Sequence, residues 1–121
     1  MEILNAQITS TKLGREDHGI MTFMIFVKTE SYSVGVGGFA LDQYSRETKD
    51  RIFSATGLEA ISKILEIVGV DNWEDLPGKY IRIKDNGLGT PIEEIGNLIE
   101  DKWFNIGKFF RSAYEVEIKE Q

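Results

Sequence analysis

The sequence contains no cysteine and a single histidine, His18. Without cysteine there is no disulfide, no thiolate metal site and no cysteine nucleophile, and one imidazole is too few for a histidine-rich metal site. No apolar run approaches the roughly 20 residues that cross a bilayer, and no cationic and apolar leader follows Met1. We therefore expect a cytoplasmic protein with no membrane partner, no metal and no cofactor.

Basic residues are in the minority. The chain has 14 of them against 20 acidic residues, which gives a formal net charge of −6. Duplex nucleic acid is repelled by such a chain unless its cations cluster on one face, so we expect no duplex partner. The 121 residues contain no repeat and no proline- or glycine-rich linker, and they predict a single domain spanning 1–121.

Alternating and continuous apolar runs predict the first strands. Polar and apolar residues alternate over 3–13, as in a half-buried strand, and 14–19 is a polar turn. The run 20–27 is apolar almost throughout, which predicts a central strand that is covered on both faces and paired antiparallel with the first.

The glycine-rich segment 33–41 has two interpretations. Its Val-Gly-Val-Gly-Gly-Phe-Ala run resembles a phosphate-binding loop, but it lacks the lysine and the following helix of that motif. The alternative is a strand that is bulged or that lets a ligand approach its backbone closely.

The segment 56–69 predicts an amphipathic helix. Thr56 and Glu59 have the spacing of a capping box, and Gly69 stands where a left-handed C-terminal cap belongs. One apolar stripe marks the face that we expect to be buried. It consists of Leu58, Ile61, Ile64, Leu65 and Val68.

The second half of the chain predicts shorter elements. They are a helical turn at 71–76 with Trp73 as its anchor, a strand at 79–84 with Ile81 and Ile83 inward, a helix at 105–112, and a last strand at 114–119. The segment 91–99 suits helix or strand. The whole pattern predicts an α+β fold, in which one main amphipathic helix packs on an antiparallel sheet of five or six strands.

The side chains that could act in catalysis can also be interpreted as purely structural. His18 lies beside Glu16 and Asp17. These three residues could form a structural turn, or they could contact a ligand directly. The carboxylates Glu93, Glu94, Glu100 and Asp101 suit acid/base chemistry or, more simply, a solvated acidic face.

Aromatic and basic residues are interleaved near the C-terminus. Trp103, Phe104, Phe109 and Phe110 lie close in sequence to Lys102, Lys108 and Arg111. This mixture is typical of a stacking platform with cations for phosphate, and equally of core aromatics with charged flanks.

Three segments together resemble a known group of proteins. They are Leu-Gly-Arg-Glu-Asp-His-Gly-Ile from Leu13, Gly-Val-Gly-Gly-Phe-Ala-Leu-Asp from Gly35, and Ile-Gly-Asn-Leu-Ile-Glu-Asp-Lys-Trp-Phe from Ile95. Over about residues 3–110 the chain resembles the anti-Thoeris sponges of phages and prophages. In that group the Ile-Gly segment before Trp-Phe is a strand, so the resemblance favours a strand within 91–99.

The resemblance implies a function. Such a protein binds and sequesters, in the host cytoplasm, a cyclic ADP-ribose isomer made by bacterial TIR-domain defence enzymes, and it does not cleave its ligand. Some relatives also take up cyclic oligonucleotides. The group works as dimers or assemblies of dimers, and a domain of this size has little room to enclose a nucleotide alone. We therefore expect a homo-oligomer with sites lined by two chains.

A ligand with an adenine and a pyrophosphate requires an aromatic face, cations or backbone amides, and close backbone approach. The residues that supply these features, and that we predict to bind the ligand, are Lys28, Gly37, Gly38, Phe39, Arg82, Asn97, Lys102, Trp103, Phe104 and Arg111. Two other functions stay open: a phage protein that inhibits a host protein by direct contact, and a small enzyme acting on a nucleotide.

Overall fold

A computed structural model describes the backbone of residues 1–120 and the side chains of residues 1–113. The chain has the predicted α+β architecture. Its elements are β1 (Glu2–Glu16), β2 (Ile20–Lys28), β3 (Ser33–Ala40), β4 (Asp42–Ser45), β5 (Asp50–Phe53), α1 (Ala55–Val68), a 3₁₀ turn (Trp73–Asp75), β6 (Tyr80–Asp85), β7 (Glu94–Gly96), β8 (Trp103–Asn105) and α2 (Ile106–Glu120).

Six strands form one antiparallel sheet in the order β3-β2-β1-β6-β7-β8. The long β1 joins its two halves. Residues 2–7 of β1 pair with β6 and residues 7–16 pair with β2, and a bulge between Ile8 and Ser10 marks the change of partner. The glycine-rich β3 and the short β8 therefore lie at opposite edges of the sheet.

One face of the sheet is covered by the helices. Inward-facing side chains from β1, β2 and β6, among them Ile8, Phe23 and Ile81, are at most 1% exposed. Burial on this scale stabilises a fold by about 1.5 to 3 kcal/mol for each large apolar side chain. The other face stays open, since Phe26 of β2 is 39% exposed. The prediction that β2 is covered on both faces is wrong, because the side chains on its second face, among them Met24 and Phe26, stay partly or largely exposed.

The glycine-rich strand is bulged, as one of its two interpretations predicted. The register between β2 and β3 shifts between Thr22 and Met24, and Gly37 and Gly38 have φ values of +126° and +83°. Only glycine adopts these conformations without strain. The bulge turns Phe39 towards the covered face, where its ring stacks on Phe110 at 5.1 Å.

The main helix is confirmed, with corrections at its start. Its N-cap is Ser54 rather than Thr56, so the capping box is wrong, while Gly69 is the predicted left-handed cap and donates its N–H to Leu65 O at 2.8 Å. Leu58 is 73% exposed, whereas Gly57 is buried. The helix approaches Leu41 so closely at Gly57 that no side chain fits there, and its buried face is rotated accordingly.

Of the two elements predicted near the C-terminus, the helix is confirmed and the strand is wrong. A helix begins where it was predicted, but α2 runs to Glu120, so the strand predicted at 114–119 is wrong. A helix already nucleated at Ile106 propagates easily through glutamate and lysine, which form helices well. In the described part of the chain, no helix is both long enough and apolar enough to span a bilayer.

The hairpin of β4 and β5 has no counterpart in the sequence pattern. It forms a separate two-stranded sheet, tied to the sheet's edge by Asp42, whose carboxylate pairs with Arg51 and accepts the Met21 N–H at 3.2 Å. Most of its residues are polar, and its apolar residues do not alternate with them, so a pattern of period two does not appear there.

Candidate functional site

Trp103 lies where the open face of the sheet meets the edge strand β8. Its cross-strand partner is Gly96, and a Cβ at Gly96 would lie only 2.5 Å from the indole ring. The ring therefore packs directly on the glycine backbone. Trp103 Nε1 donates a hydrogen bond to Asp101 Oδ1 at 3.0 Å, which fixes the orientation of the half-buried ring.

Two cations of β6 lie over this ring. The Arg82 guanidinium carbon is 4.7 Å from the ring centroid and Lys84 Nζ is 4.4 Å from it. Both side chains lie on the open face because Ile81 and Ile83, which alternate with them, enter the core. Lys84 also pairs with Glu94 at 3.1 Å. The cluster thus combines an aromatic ring with two positive charges.

The turn after β7 is held by Arg82 and Asn97. Arg82 donates from Nε to Asn97 O at 2.7 Å and from Nη2 to Glu100 O at 2.8 Å. Asn97 Nδ2 donates to Ile67 O at 2.9 Å, and its Oδ1 accepts the N–H groups of Ile99 and Glu100. The structure therefore brings the predicted residues Arg82, Asn97 and Trp103 together, and it gives Asn97 a role in shaping the turn.

On the other side of β8 lies a cleft that we call the basic aromatic cleft, between α1 and the start of α2. It consists of two adjoining cavities of about 340 and 540 Å³ that share Lys63 and Phe104. Glu66, Lys102 and Trp103 line the first cavity, and Lys108 and Phe109 line the second.

The aromatic rings of the cleft are fixed by the core. Phe104 and Phe109 meet edge to face at 5.4 Å, and Lys63 Nζ is 5.9 Å from the centroid of each ring. Phe104 is 8% exposed and Phe110 is fully buried, whereas Trp103 and Phe109 are half-buried. Both interpretations of the aromatic run are therefore partly right, because some rings build the core and others present a surface.

The lysines of the cleft differ in their partners. Lys102 pairs with Glu100 at 2.9 Å, and this hydrogen bond raises the pKa of Lys102. Among the side chains that the structure describes, neither Lys63 nor Lys108 forms an ion pair. No carboxylate among the described residues lines the second cavity, so Lys63 and Lys108 attract an anion there even though the net charge of the chain is negative.

Arg111 is engaged elsewhere. Its guanidinium forms a bidentate ion pair with Glu93, in which Nη1 donates to Oε1 at 3.1 Å and Nη2 donates to Oε2 at 2.9 Å. The hydrogen bond raises the pKa of Arg111 and lowers that of Glu93. Gly107 makes this contact possible, because a Cβ there would lie 2.2 Å from Glu93 Oε2. Glu93 already neutralises the charge of Arg111, which weakens the attraction of this side chain for a pyrophosphate, and its assignment to the ligand site stays a prediction.

The remaining predicted residues are not brought to Trp103 within one chain. Gly37, Gly38 and Phe39 belong to β3, at the opposite edge of the sheet, and the Phe39 ring lies on the covered face. Lys28 is exposed at the end of β2. A shared site between these residues and Trp103 would require a second chain.

The sequence prediction missed Lys63, Lys84 and the full contribution of Lys108 and Phe109. Lys63 and Lys84 are far from Trp103 in sequence, and only the fold, which packs α1 against β8 and sets β6 one strand away from it across β7, brings them close. For Lys108 and Phe109 the signal was present, since the interleaving of cations and aromatic rings had marked this part of the chain.

The acidic residues do not converge on one another. Glu93, Glu94 and Glu100 each pair with a different cation, and Asp101 accepts the indole N–H of Trp103. His18 is exposed in the turn after β1, with a φ of +60°. Within the described residues, no group of three or more potential metal ligands is close enough to hold an ion.

Comparisons of the chain with protein-family profiles, with curated proteins and with solved structures give no significant match.

Proposed function

We propose that this protein binds a cyclic ADP-ribose-type nucleotide in the basic aromatic cleft and holds it intact. The observation that carries the proposal is that Lys63 and Lys108, both without ion pairs among the described side chains, line one cavity together with Phe104 and Phe109. An acidic protein that gathers cations around aromatic rings has the chemistry to hold an anionic, aromatic ligand.

The parts of the ligand match the parts of the cleft. The half-buried rings of Trp103 and Phe109 offer surfaces on which an adenine can stack, which contributes about 1 to 3 kcal/mol in other proteins. Lys63 and Lys108 provide ammonium donors for a pyrophosphate, and a hydrogen bond to a charged group contributes about 1.5 to 3 kcal/mol. The volumes of both cavities fall within the range of roughly 300 to 1,000 Å³ that is typical of small-molecule sites.

Sequestration rather than turnover is the biological role we propose, in line with the resemblance to anti-Thoeris sponges. A phage protein of this kind removes the TIR-generated signal from the host cytoplasm and so silences the defence. Glu93, Glu94 and Glu100 are each paired with a cation, which favours their acting as structural counter-charges over proton transfer.

Calorimetric titration with cyclic ADP-ribose isomers tests the site. Lys63→Ala and Lys108→Ala should each weaken binding about tenfold or more, because each removes one charged hydrogen bond to phosphate. Lys79→Ala, which removes an exposed lysine immediately before β6, is the matched control and should bind as the wild type does. Unchanged affinity in folded Lys63→Ala and Lys108→Ala proteins would move the ligand out of this cleft.

Inhibition of a host protein by direct contact is the second candidate, and one observation favours it. Phe53 is 93% exposed and Leu58 is 73% exposed, so the start of α1 presents apolar side chains to solvent. Exposed apolar surface of this kind marks contact sites on many proteins. A Phe53→Ser, Leu58→Ser double variant that binds nucleotide normally but loses its anti-defence effect in cells would favour this second candidate over sequestration.

A further inference from the structure

The outer edge of β3 has backbone groups without partners in the sheet. β3 is an edge strand, and within the described part of the chain it pairs with β2 alone. The Thr29 N–H bonds Tyr32 O at 2.8 Å at the turn between the two strands. Bonded and non-bonded pairs alternate along an antiparallel ladder, so Val27 and Val34 exchange hydrogen bonds. The N–H and C=O groups of Ser33 and Gly35 therefore point away from β2, towards solvent.

This edge lacks the usual protection against pairing. Exposed edge strands generally carry charged side chains, prolines or bulges that keep other strands away. The stretch from Ser31 to Leu41 contains no charged residue and no proline. The bulge at Gly37 and Gly38 interrupts only the second half of β3, and Ser33–Val36 remains regular.

The start of β3 is also held in place. Tyr32 Oη donates to Asp85 Oδ2 at 2.8 Å, and Thr29 Oγ1 accepts the N–H groups of Ser31 and Tyr32. An edge that is already ordered loses little conformational entropy when another strand pairs with it.

We infer that the edge Ser33–Val36 pairs antiparallel with the same edge of a second copy of this chain. Two chains of net charge −6 repel each other, so they meet most easily where neither presents a charge. The β3 edge satisfies this condition over eleven consecutive residues, 31–41. An antiparallel pair of identical strands is related by a twofold axis, which closes the assembly at two chains. The absence of a side chain at Gly35 removes steric obstruction at the centre of the contact.

Proline and charge at position 33 test this inference. Ser33→Pro removes the Ser33 N–H, which points away from β2. The hydrogen bonds between β2 and β3 stay intact, because Ser33 occupies a non-hydrogen-bonded position of that strand pair. Ser33→Glu adds a carboxylate to each copy at the contact and faces Lys28 within its own chain, so its fold is preserved or strengthened. Ser33→Ala keeps the N–H and the neutral edge, and it is the matched control.

The measurement is sedimentation equilibrium at micromolar concentration, with circular dichroism to confirm folding. Wild type and Ser33→Ala should have twice the chain mass of 13.7 kDa. Ser33→Pro and Ser33→Glu should dissociate at least about tenfold more readily. A monomeric wild type would overturn the inference, and so would a folded Ser33→Glu protein that dimerises as tightly as wild type. If Ser33→Pro fails to fold, Ser33→Glu alone decides.

Discussion

Gly96→Ala is the substitution with the most specific expected effect on the candidate site. The new Cβ would lie 2.5 Å from one ring atom of Trp103 and 2.7 Å from two others, whereas ordinary contact begins at 3.4 Å. The ring must therefore move by about 0.9 Å or the two strands must separate. Overpacking of this size costs about 1 to 3 kcal/mol, and the lower chain entropy of alanine returns about 0.5 to 1 kcal/mol. We expect a net loss of about 1 to 2 kcal/mol.

The displaced ring should also lose contacts. Arg82, Lys84 and Asp101 all depend on its position, so the indole N–H resonance of Trp103 should shift in a ¹⁵N NMR spectrum. Ligand affinity should fall with it, because Trp103 lines one end of the basic aromatic cleft. Denaturant titration gives the free energy of unfolding, and calorimetry gives the affinity.

Gly14→Ala is the matched control for this effect. Gly14 also lies in a strand, but a Cβ there would meet no atom within 4 Å. Its stability should stay equal to wild type or rise slightly. If Gly96→Ala proved as stable as Gly14→Ala and left the Trp103 resonance in place, the packing of the indole on the β7 backbone would be refuted.

Two other predictions concern the fold. Ile64→Ala should cost about 2 to 5 kcal/mol in denaturant titration because Ile64 is fully buried, while Leu58→Ala, at a 73% exposed position of the same helix, should change stability by less than about 0.5 kcal/mol; equal losses would refute the observed orientation of α1. For Asp42, burial raises the pKa, but the hydrogen bonds from Arg51 and the Met21 N–H outweigh it, so the folded-state pKa lies below the ordinary 3.8. The stability that this carboxylate contributes is full above its unfolded-state pKa and is lost as the pH falls through the lower, folded value. Arg51→Ala should therefore destabilise the protein at pH 7 by about 1 to 3 kcal/mol, with the deficit shrinking below about pH 4; a deficit that does not depend on pH would contradict this role of the ion pair.

Much of the sheet was predictable because its strands follow one rule. Each strand that alternates apolar and polar residues, such as β1 and β6, has one buried and one open face, and the alternation reports this directly. β2 was predicted to be covered on both faces because its run 20–27, which includes Phe26, is apolar almost throughout. That ring belongs to the open face, and nothing in the sequence distinguishes an exposed phenylalanine from a buried one.

Errors at the helices have a different origin. At α1 the buried face is set by Gly57, which touches the backbone of Leu41, and close approach at a glycine leaves no apolar signal in the sequence. At α2 the alternation of Tyr114, Val116 and Ile118 fits a strand as a pattern. The helix begun at Ile106 nevertheless continues through these residues, which shows that local alternation yields to an element already formed upstream.

The candidate site was only partly accessible to sequence reasoning. Trp103 and Lys102 were found because cations and aromatic rings are adjacent there in the chain. Lys63 was not, because its approach to Phe104 depends on how α1 lies across the sheet. Arg111 looked available for an anion until the structure placed Glu93 within 3.1 Å of it.

Capture and release of the signal tests the central claim most directly. The purified protein is mixed with the cyclic ADP-ribose isomers made by a TIR-domain enzyme, separated from free nucleotide, and heated, and the mass of the released molecule is measured. We predict that an unchanged cyclic nucleotide is taken up and released by wild type and Lys79→Ala, and that much less is released by a Lys63→Ala, Lys108→Ala double variant. Absence of uptake by wild type, or release of a cleaved product, would contradict the proposal that this protein sequesters the signal intact.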